Sequence, residues 1–159
     1  MGTPRLFSSG VSPKENMKIV IQRVKNAKVR VKGQNIAEIK QGLLLFVGIG
    51  KDDNIEELQR LSKKVVNLRI FEDEQGRMNL NIKQVNGQIL SVPQFTLYAD
   101  TQKGNRPGFD ASAPSSMAKE YWERFNDMIM RNGIDVKTGL FGTHMEVELI
   151  NDGPVTIIL

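Results

Sequence analysis

The eight residues Leu43 to Gly50, LLLFVGIG, limit the possible folds more than any other stretch. Successive strand side chains point to opposite faces, so a short, continuously apolar run closed by glycines is the pattern of a strand buried on both sides. The rest of the chain must therefore cover two faces of one sheet. Its 159 residues are enough for a single domain with a substantial core.

Helices are available for that cover. Residues 53–68 place Ile55, Leu58, Leu61, Val65 and Leu68 on one helical stripe, and Asp53 and Glu56 have the spacing of a capping box. A second helix opens at Ser115, with Met117, Tyr121, Phe125, Met128 and Ile129 on its apolar side and Gly133 as its stop. The other segments read as strands. MKIVIQRV begins at Met17, and AKVRVKG follows with Lys28, Arg30 and Lys32 on a wet, basic face opposite Val29 and Val31. RMNLNIKQV and QILSV are predicted to pair as a hairpin across Asn86-Gly87. HMEVELI and VTIIL read as two closing strands separated by the turn NDGP. Strands, helix, strands, helix, strands predicts an α+β fold with a largely antiparallel sheet system. The last strand is apolar on both faces and needs cover from a sheet or a second subunit, which points to a homodimer.

Composition removes several chemistries. The chain has no cysteine, which excludes disulfides and thiolate catalysis, and its single histidine, His144, excludes a multi-histidine metal site within one chain. Neither a metal nor a cofactor is expected. A net charge of +4 is compatible with a nucleic-acid partner. No apolar run approaches the ~20 residues of a membrane span, so a soluble, cytoplasmic protein is expected. The opening MGTPRLFSSGVSPKEN lacks a signal-peptide core, so residues 1–16 are read as a leader and 17–159 as the single domain.

Several motifs fail on inspection. GIGKDD, from Gly48, has neither the third glycine of a dinucleotide fingerprint nor a P-loop Gly-Lys-Ser/Thr. Glu72, Asp73 and Glu74 beside Gln75-Gly76 read as a solvated turn. His144 sits in THMEVELI with strand periodicity, and no nucleophile elbow accompanies it, so a hydrogen-bonded strand histidine is expected rather than a triad.

Two stretches carry more. SVPQFTLYAD puts Pro93 in what otherwise reads as a buried strand, although proline has no N–H for the ladder. Gln94, Phe95 and Thr96 follow, and then a basic loop with Lys103, Arg106 and Phe109. Cations beside an aromatic ring suit an RNA end, and equally a solvated loop with Phe109 tucked onto the core. In NDGPVT, the Gly153-Pro154 step is either a simple turn or a fixed display of two backbone carbonyls.

Taken in order, IQRV, GLLLFVGI, NLRIFED, MNLNI, QFTLYAD, KGNRP, FG and NDGPVT resemble the D-aminoacyl-tRNA deacylases, the chiral proofreading enzymes of translation. The resemblance runs from Met17 to the end. It implies a homodimer of β-barrel-like subunits flanked by two main helices, with the 3′ end of aminoacyl-tRNA bound at the dimer interface. It further implies that Gly153 and Pro154 form a Gly-cis-Pro motif that selects chirality in the other subunit's site, supported by Arg23 and Asn151. Gln94, Phe95 and Thr96 would be the catalytic segment, the latter two offering backbone N–H groups to an oxyanion. Lys103, Arg106, Phe109 and Met145 would contact substrate or tRNA. Thr96 as a covalent nucleophile is a sharper variant that needs an adjacent base.

Pro93 stands where the family's Ser-Gln-x-x-Leu motif has serine. A sister branch acting on L-alanyl-tRNA through a trans Gly-Pro carries Pro-Gln there, whereas NDGPVT and Arg23 follow the D-specific pattern. Glycyl-tRNA is an expected second substrate, because a site that rejects side chains cannot reject their absence. L-alanyl-tRNA deacylation is the nearest rival, and a non-catalytic tRNA-binding module using the Lys28, Arg30, Lys32 face is the rival of another class.

Overall fold

Strand β3 (Gly42–Gly48) lies at the middle of a six-stranded sheet in the computed structural model, which describes residues 16–159. Except for Asn16, the expected leader lies outside the described residues. β3 is flanked by β1 (Lys18–Val31), which runs antiparallel to it, and by β6 (Gln88–Pro93), which runs parallel. Both of its faces are buried, as the apolar run requires. Leu43, Leu45 and Val47 join the core under the helices, while Leu44 and Phe46 join a second cluster with Val24, Val29, Ile39, Leu90 and Val92. Each fully buried side chain of this size stabilises the fold by about 1.5–3 kcal/mol before entropy is counted.

The long hairpin of the molecule is not the predicted one. β1 turns at Lys32-Gly33, where φ is 50° and 79°, the two positive values that a two-residue type I′ connection needs. The returning arm is β2 (Gln34–Ile39) followed by β3, which together line one edge of β1. At Asn86-Gly87 there is no hairpin. Residues 82–86 form turns, and β5 (Met78–Leu80) pairs instead with β4 (Phe71–Glu72) in a separate two-stranded sheet. β6, buried at Ile89, Leu90, Ser91 and Val92, needs a neighbour on each side and finds β3 and β7 (Asp135–Thr138), both parallel. A hairpin with residues 77–85 would have left one edge of this apolar strand without a ladder.

β8 (Glu146–Ile158) replaces the two predicted closing strands. It runs through NDGP without ending and follows the other edge of β1, with register shifts opposite Gln22–Val24 and Val24–Asn26. With three antiparallel pairings against two parallel ones, the sheet is mostly antiparallel and curls into a nearly closed barrel, giving the expected α+β class.

Two helices cover one face. α1 (Ile55–Asn67) buries Leu58, Leu61 and Val65, but its cap is Asn54, whose side chain accepts from the Glu57 N–H. Asp53 is engaged elsewhere, as described below. α2 (Ser115–Met130) buries Ala118, Trp122, Phe125, Asn126 and Ile129, a stripe rotated from the predicted one, with Met117, Tyr121 and Met128 only half-buried. Among the described residues no helix is long and apolar enough to cross a membrane.

Candidate active site

The position of Pro93 follows from the alternation of backbone groups along β6. The Gln94 N–H donates to the Val47 carbonyl on one side, and the Ser91 carbonyl accepts from the Gly139 N–H on the other. Pro93 therefore faces the same side as Ser91, where β7 has already ended at Thr138. A residue without an N–H loses nothing there. The chain then closes a 3-10 turn, Phe95–Tyr98, whose first hydrogen bond runs from the Leu97 N–H to the Gln94 carbonyl. The N–H groups of Phe95 and Thr96 precede that bond and have no acceptor within the turn.

The turn is seated on the segment whose nucleotide-binding reading failed. A Cβ at Gly48 would lie 3.1 Å from the Gln94 carbonyl oxygen and 3.2 Å from the Tyr98 ring, so any larger residue would push the turn away from β3 by a few tenths of an ångström. Asp53 is buried, and its two carboxylate oxygens accept from the N–H groups of Met17 (2.6 Å) and Gly50 (2.7 Å). Burial raises its pKa, opposed by those two N–H donors. The strand of glycines, the carboxylate and the turn form one scaffold.

A cleft of about 560 Å³ opens between this turn, the start of α2 and the 141–145 segment. Its lining includes Gln94 and Phe95, Trp122 and Phe141, whose ring centres are 6.0 Å apart, and His144 and Met145. The Trp122 Nε1–H donates to the buried Ser91 hydroxyl at 2.9 Å, tying α2 to β6 beneath the cleft. Gln94 Nε2 donates to Thr96 Oγ1. Phe95 is 56% exposed and meets Phe109 edge-to-face at 5.0 Å between ring centres. The loop carrying Phe109 closes through a pair of hydrogen bonds between Asp100 and Gly108, which leaves Lys103 and Arg106 at its exposed tip.

A second group of the expected site residues lies away from this cleft. Arg23 is 4% exposed and sits where β1 passes from the helix-covered layer, with Ile19 and Ile21, to the inner cluster that begins at Val24. Opposite it, β8 uses the five steps from Asn151 to Thr156 against two on β1, so residues 152–155 leave the ladder. The guanidinium fills the gap. It donates from Nε to the Asp152 carbonyl (2.9 Å) and from Nη1 to the Ile70 carbonyl (2.7 Å), with Glu72 and the Asp152 carboxylate each 3.7 Å away. The Gly153-Pro154 peptide is cis, and both residues are exposed. Gly153 has φ 132°, and a Cβ there would fall 2.9 Å from the Val155 side chain and 3.2 Å from Arg23 Nη2. Asn151 is exposed at the base of this tip.

The structure thus brings Gln94, Phe95, Phe109 and Met145 together, and groups Arg23 with Asn151, Gly153 and Pro154 at a separate tip. Two readings need correction. His144 precedes β8 and is exposed on the cleft rather than lying in a strand. The expected basic face is neutralised, because Lys28 pairs with Glu148 at 3.4 Å and Arg30 with Glu148 at 2.8 Å, while Lys32 belongs to the turn. Hydrogen bonds from Arg30 and Lys28 hold the Glu148 carboxyl below its usual range. Sequence reasoning missed Trp122, Ser91 and the Ile70 carbonyl. The lone tryptophan in an amphipathic helix was an available signal for the first; a backbone carbonyl gives none.

Comparison with known proteins places these features in context. Residues 20–159 match the family model for D-Tyr-tRNA(Tyr) deacylase. A D-aminoacyl-tRNA deacylase of Thermosipho africanus (strain TCF52B) is 52% identical over 143 residues, covering 90% of this chain and 96% of that protein. Among solved structures, the c-Myc DNA Unwinding Element Binding Protein superposes with a TM-score of 0.84 at 38% identity, over 89% of this chain and 97% of that one. A "probable eukaryotic D-amino acid tRNA deacylase" superposes with a TM-score of 0.80 over 90% of this chain and 98% of that one; at 16% identity it shares the fold.

Proposed function

The chain belongs to the D-Tyr-tRNA(Tyr) deacylase family and is a hydrolase acting on D-aminoacyl-tRNA, and from that premise we propose how its residues divide the work. The observation that carries the reading is the match over residues 20–159, joined to 52% identity with a D-aminoacyl-tRNA deacylase. The reaction consumes one water and one ester, and releases a free amino acid and a tRNA whose terminal ribose regains its hydroxyl.

An aminoacyl ester is already activated, so orientation and oxyanion stabilisation can supply most of the catalysis. The N–H groups of Phe95 and Thr96 are the donors for the oxyanion that forms when water adds to the ester carbonyl. Their lack of an acceptor within the turn supports this role. The Gln94 side chain orients the substrate, and Phe109, Met145, Lys103 and Arg106 contact the 3′ end. The vicinal 2′-hydroxyl of the terminal adenosine relays the proton, so no covalent intermediate on Thr96 is formed.

Chirality is read by backbone. The carbonyls of Gly153 and Pro154 hold the substrate ammonium and leave no room for a side chain in the L direction, so selection works against the wrong enantiomer by steric exclusion. Glycyl-tRNA passes the same test and is a second substrate. Because the exposed tip does not line its own cleft, it acts in the cleft of a second copy, making the enzyme a homodimer with two composite sites. The setting is the cytoplasm, where aminoacyl-tRNA is found.

The deciding experiment incubates the protein at catalytic concentration with D-Tyr-tRNA and with L-Tyr-tRNA. Selective release of D-tyrosine is expected, and no D-selective release overturns the reading. Pro93 in the serine position matches the L-alanyl-tRNA branch while the cis Gly153-Pro154 bond does not, so L-Ala-tRNA belongs in the same assay; preferential release from it would favour that rival.

A further inference from the structure

The exposed side of α1 forms a shallow groove of about 630 Å³ that none of the site assignments uses. Arg60, Lys63, Lys64 and Asn67 follow one another along the helix at spacings that put them on one stripe, and Arg69 continues the line beyond the helix end. Glu56 is the sole carboxylate among the groove's lining residues. Arg60 is partly occupied by Glu57 at 2.5 Å, but Lys63 and Lys64 are exposed and have no ion pair among the described residues. A lysine in the last turn of a helix often does no more than complement the helix dipole. Only Lys64 lies in that turn, so the dipole does not account for Lys63, Arg60 or Arg69.

Arg69 is held in place. Its guanidinium donates from Nε to the Asn79 carbonyl at 2.9 Å and also bonds the Asn79 side chain, which fixes one end of the groove against the β4–β5 hairpin. The next residue, Ile70, supplies the carbonyl that accepts from Arg23, and Arg23 in turn holds Asp152 beside Gly153. The basic groove therefore ends one residue from the support of the tip that enters the neighbouring active site.

We infer that this groove binds the phosphate backbone of the tRNA substrate next to its reactive 3′ end. A linear row of cations fits a helical phosphate track better than a compact anion, and ammonium groups contribute as point charges without reading sequence. The inference rests on the deacylase reading, in which the 3′ end lies in the cleft entered by that tip. With the terminal adenosine there, the duplex that follows it must leave across a neighbouring surface, and this one carries the complementary charge. The Lys103 and Arg106 loop then serves the single-stranded end and α1 serves the stem.

The test uses a Lys63→Glu/Lys64→Glu double variant of the full chain, with Lys103→Glu/Arg106→Glu as comparison. Binding is measured by fluorescence anisotropy of a 5′-labelled acceptor-stem RNA hairpin with a single-stranded 3′ tail, across a salt series. The groove variant is expected to bind at least tenfold more weakly and to lose about 2 from the salt slope, one for each phosphate contact removed. Its KM for D-Tyr-tRNA should rise with kcat unchanged, while hydrolysis of D-tyrosyl-adenosine, which has no stem, should stay at the wild-type rate. Unchanged hairpin affinity and unchanged KM in a variant with a wild-type melting temperature would overturn the groove assignment. Failure of the wild type to hydrolyse D-Tyr-tRNA would instead overturn the deacylase reading, and the anisotropy arm would still decide whether α1 binds RNA. Loss of hairpin binding by the loop variant alone also counts against the groove.

Discussion

Pro93 closes β6 where its neighbour β7 has already ended, whereas Pro154 lies inside β8, in a stretch that has left its partner strand altogether. The two prolines border the two halves of the proposed site. The first half is held by many small contributions: the Gln94 N–H on Val47, the close approach over Gly48, the Asp53 carboxylate behind it and the Trp122–Ser91 bond below. The second depends on one buried guanidinium that bridges the carbonyls of Asp152 and Ile70. A ladder distributes its support, but a side chain that fills a bulge concentrates it. The tip should therefore be far more sensitive to a single substitution than the turn.

Arg23→Ala is expected to produce the largest effect, because it leaves two carbonyls without their charged donor in a buried site. A loss of about 2–4 kcal/mol in stability follows from the usual worth of such bonds, read as a lower urea midpoint. Turnover of D-Tyr-tRNA should fall by about 100-fold or more as the tip loses its position. Arg23→Lys sharpens the comparison: it keeps the charge but cannot reach both carbonyls with a planar fork, so stability should recover more than activity. Wild-type turnover in either variant would show that the tip does not depend on this residue.

On the side of the turn, Asp53→Asn should cost about 1–3 kcal/mol, since an amide presents a donor to one of the two N–H groups that the carboxylate now satisfies. Trp122→Phe removes the bond to Ser91, leaves that buried hydroxyl unpaired and deletes part of a packed ring, so about 1–3 kcal/mol is expected, with activity reduced less than for Arg23→Ala. Pro93→Ser should be nearly silent in stability, within about 0.5 kcal/mol, because the restored N–H would face the end of β7. A large destabilisation there would mean that Pro93 is held by packing against Gly139 and not merely tolerated.

The smallest effect is in pH dependence, and its sign separates buried from exposed carboxylates. Asp53 has its pKa raised in the folded state, so its contribution is most favourable below the unfolded value and declines as pH rises through the folded one. Asp73, held low first by the Arg77 N–H, and Glu148, held low first by its bond from Arg30, behave oppositely: their contributions are present above the unfolded values and lost as pH falls. Comparing denaturation of wild type and Asp53→Asn between about pH 3 and 7 should show the wild type losing ground to the variant as pH rises. The reverse slope would contradict the burial of this group.

Local pattern was enough for β3, α1 and the general course of β1, because in each the burial periodicity and the length of the run agree. It failed where the choice of partner decides. Asn86-Gly87 has strong hairpin chemistry, yet the apolar faces of Ile89 to Val92 needed β3 and β7, and that demand outweighed the turn. Lys32-Gly33 is the weaker turn by composition and is the one used. Lys28 and Arg30 read as a free basic face because Glu146 and Glu148, more than 100 residues later, could not be seen to lie opposite them.

By itself the sequence determined which segments are apolar, which side of α1 is buried, and that a motif-bearing strand runs into a proline before a basic loop. Those are local properties, set by side-chain spacing. Tertiary structure alone decided that Pro93 has no β7 partner on the side where it lacks an N–H, that Asp53 serves the scaffold instead of capping a helix, that Arg23 meets the Ile70 carbonyl, and that the cleft and the Gly153-Pro154 tip are separate. Each of these depends on where a distant strand ends or bulges, and the ladder that fixes those positions is a property of the closed sheet, not of any one segment.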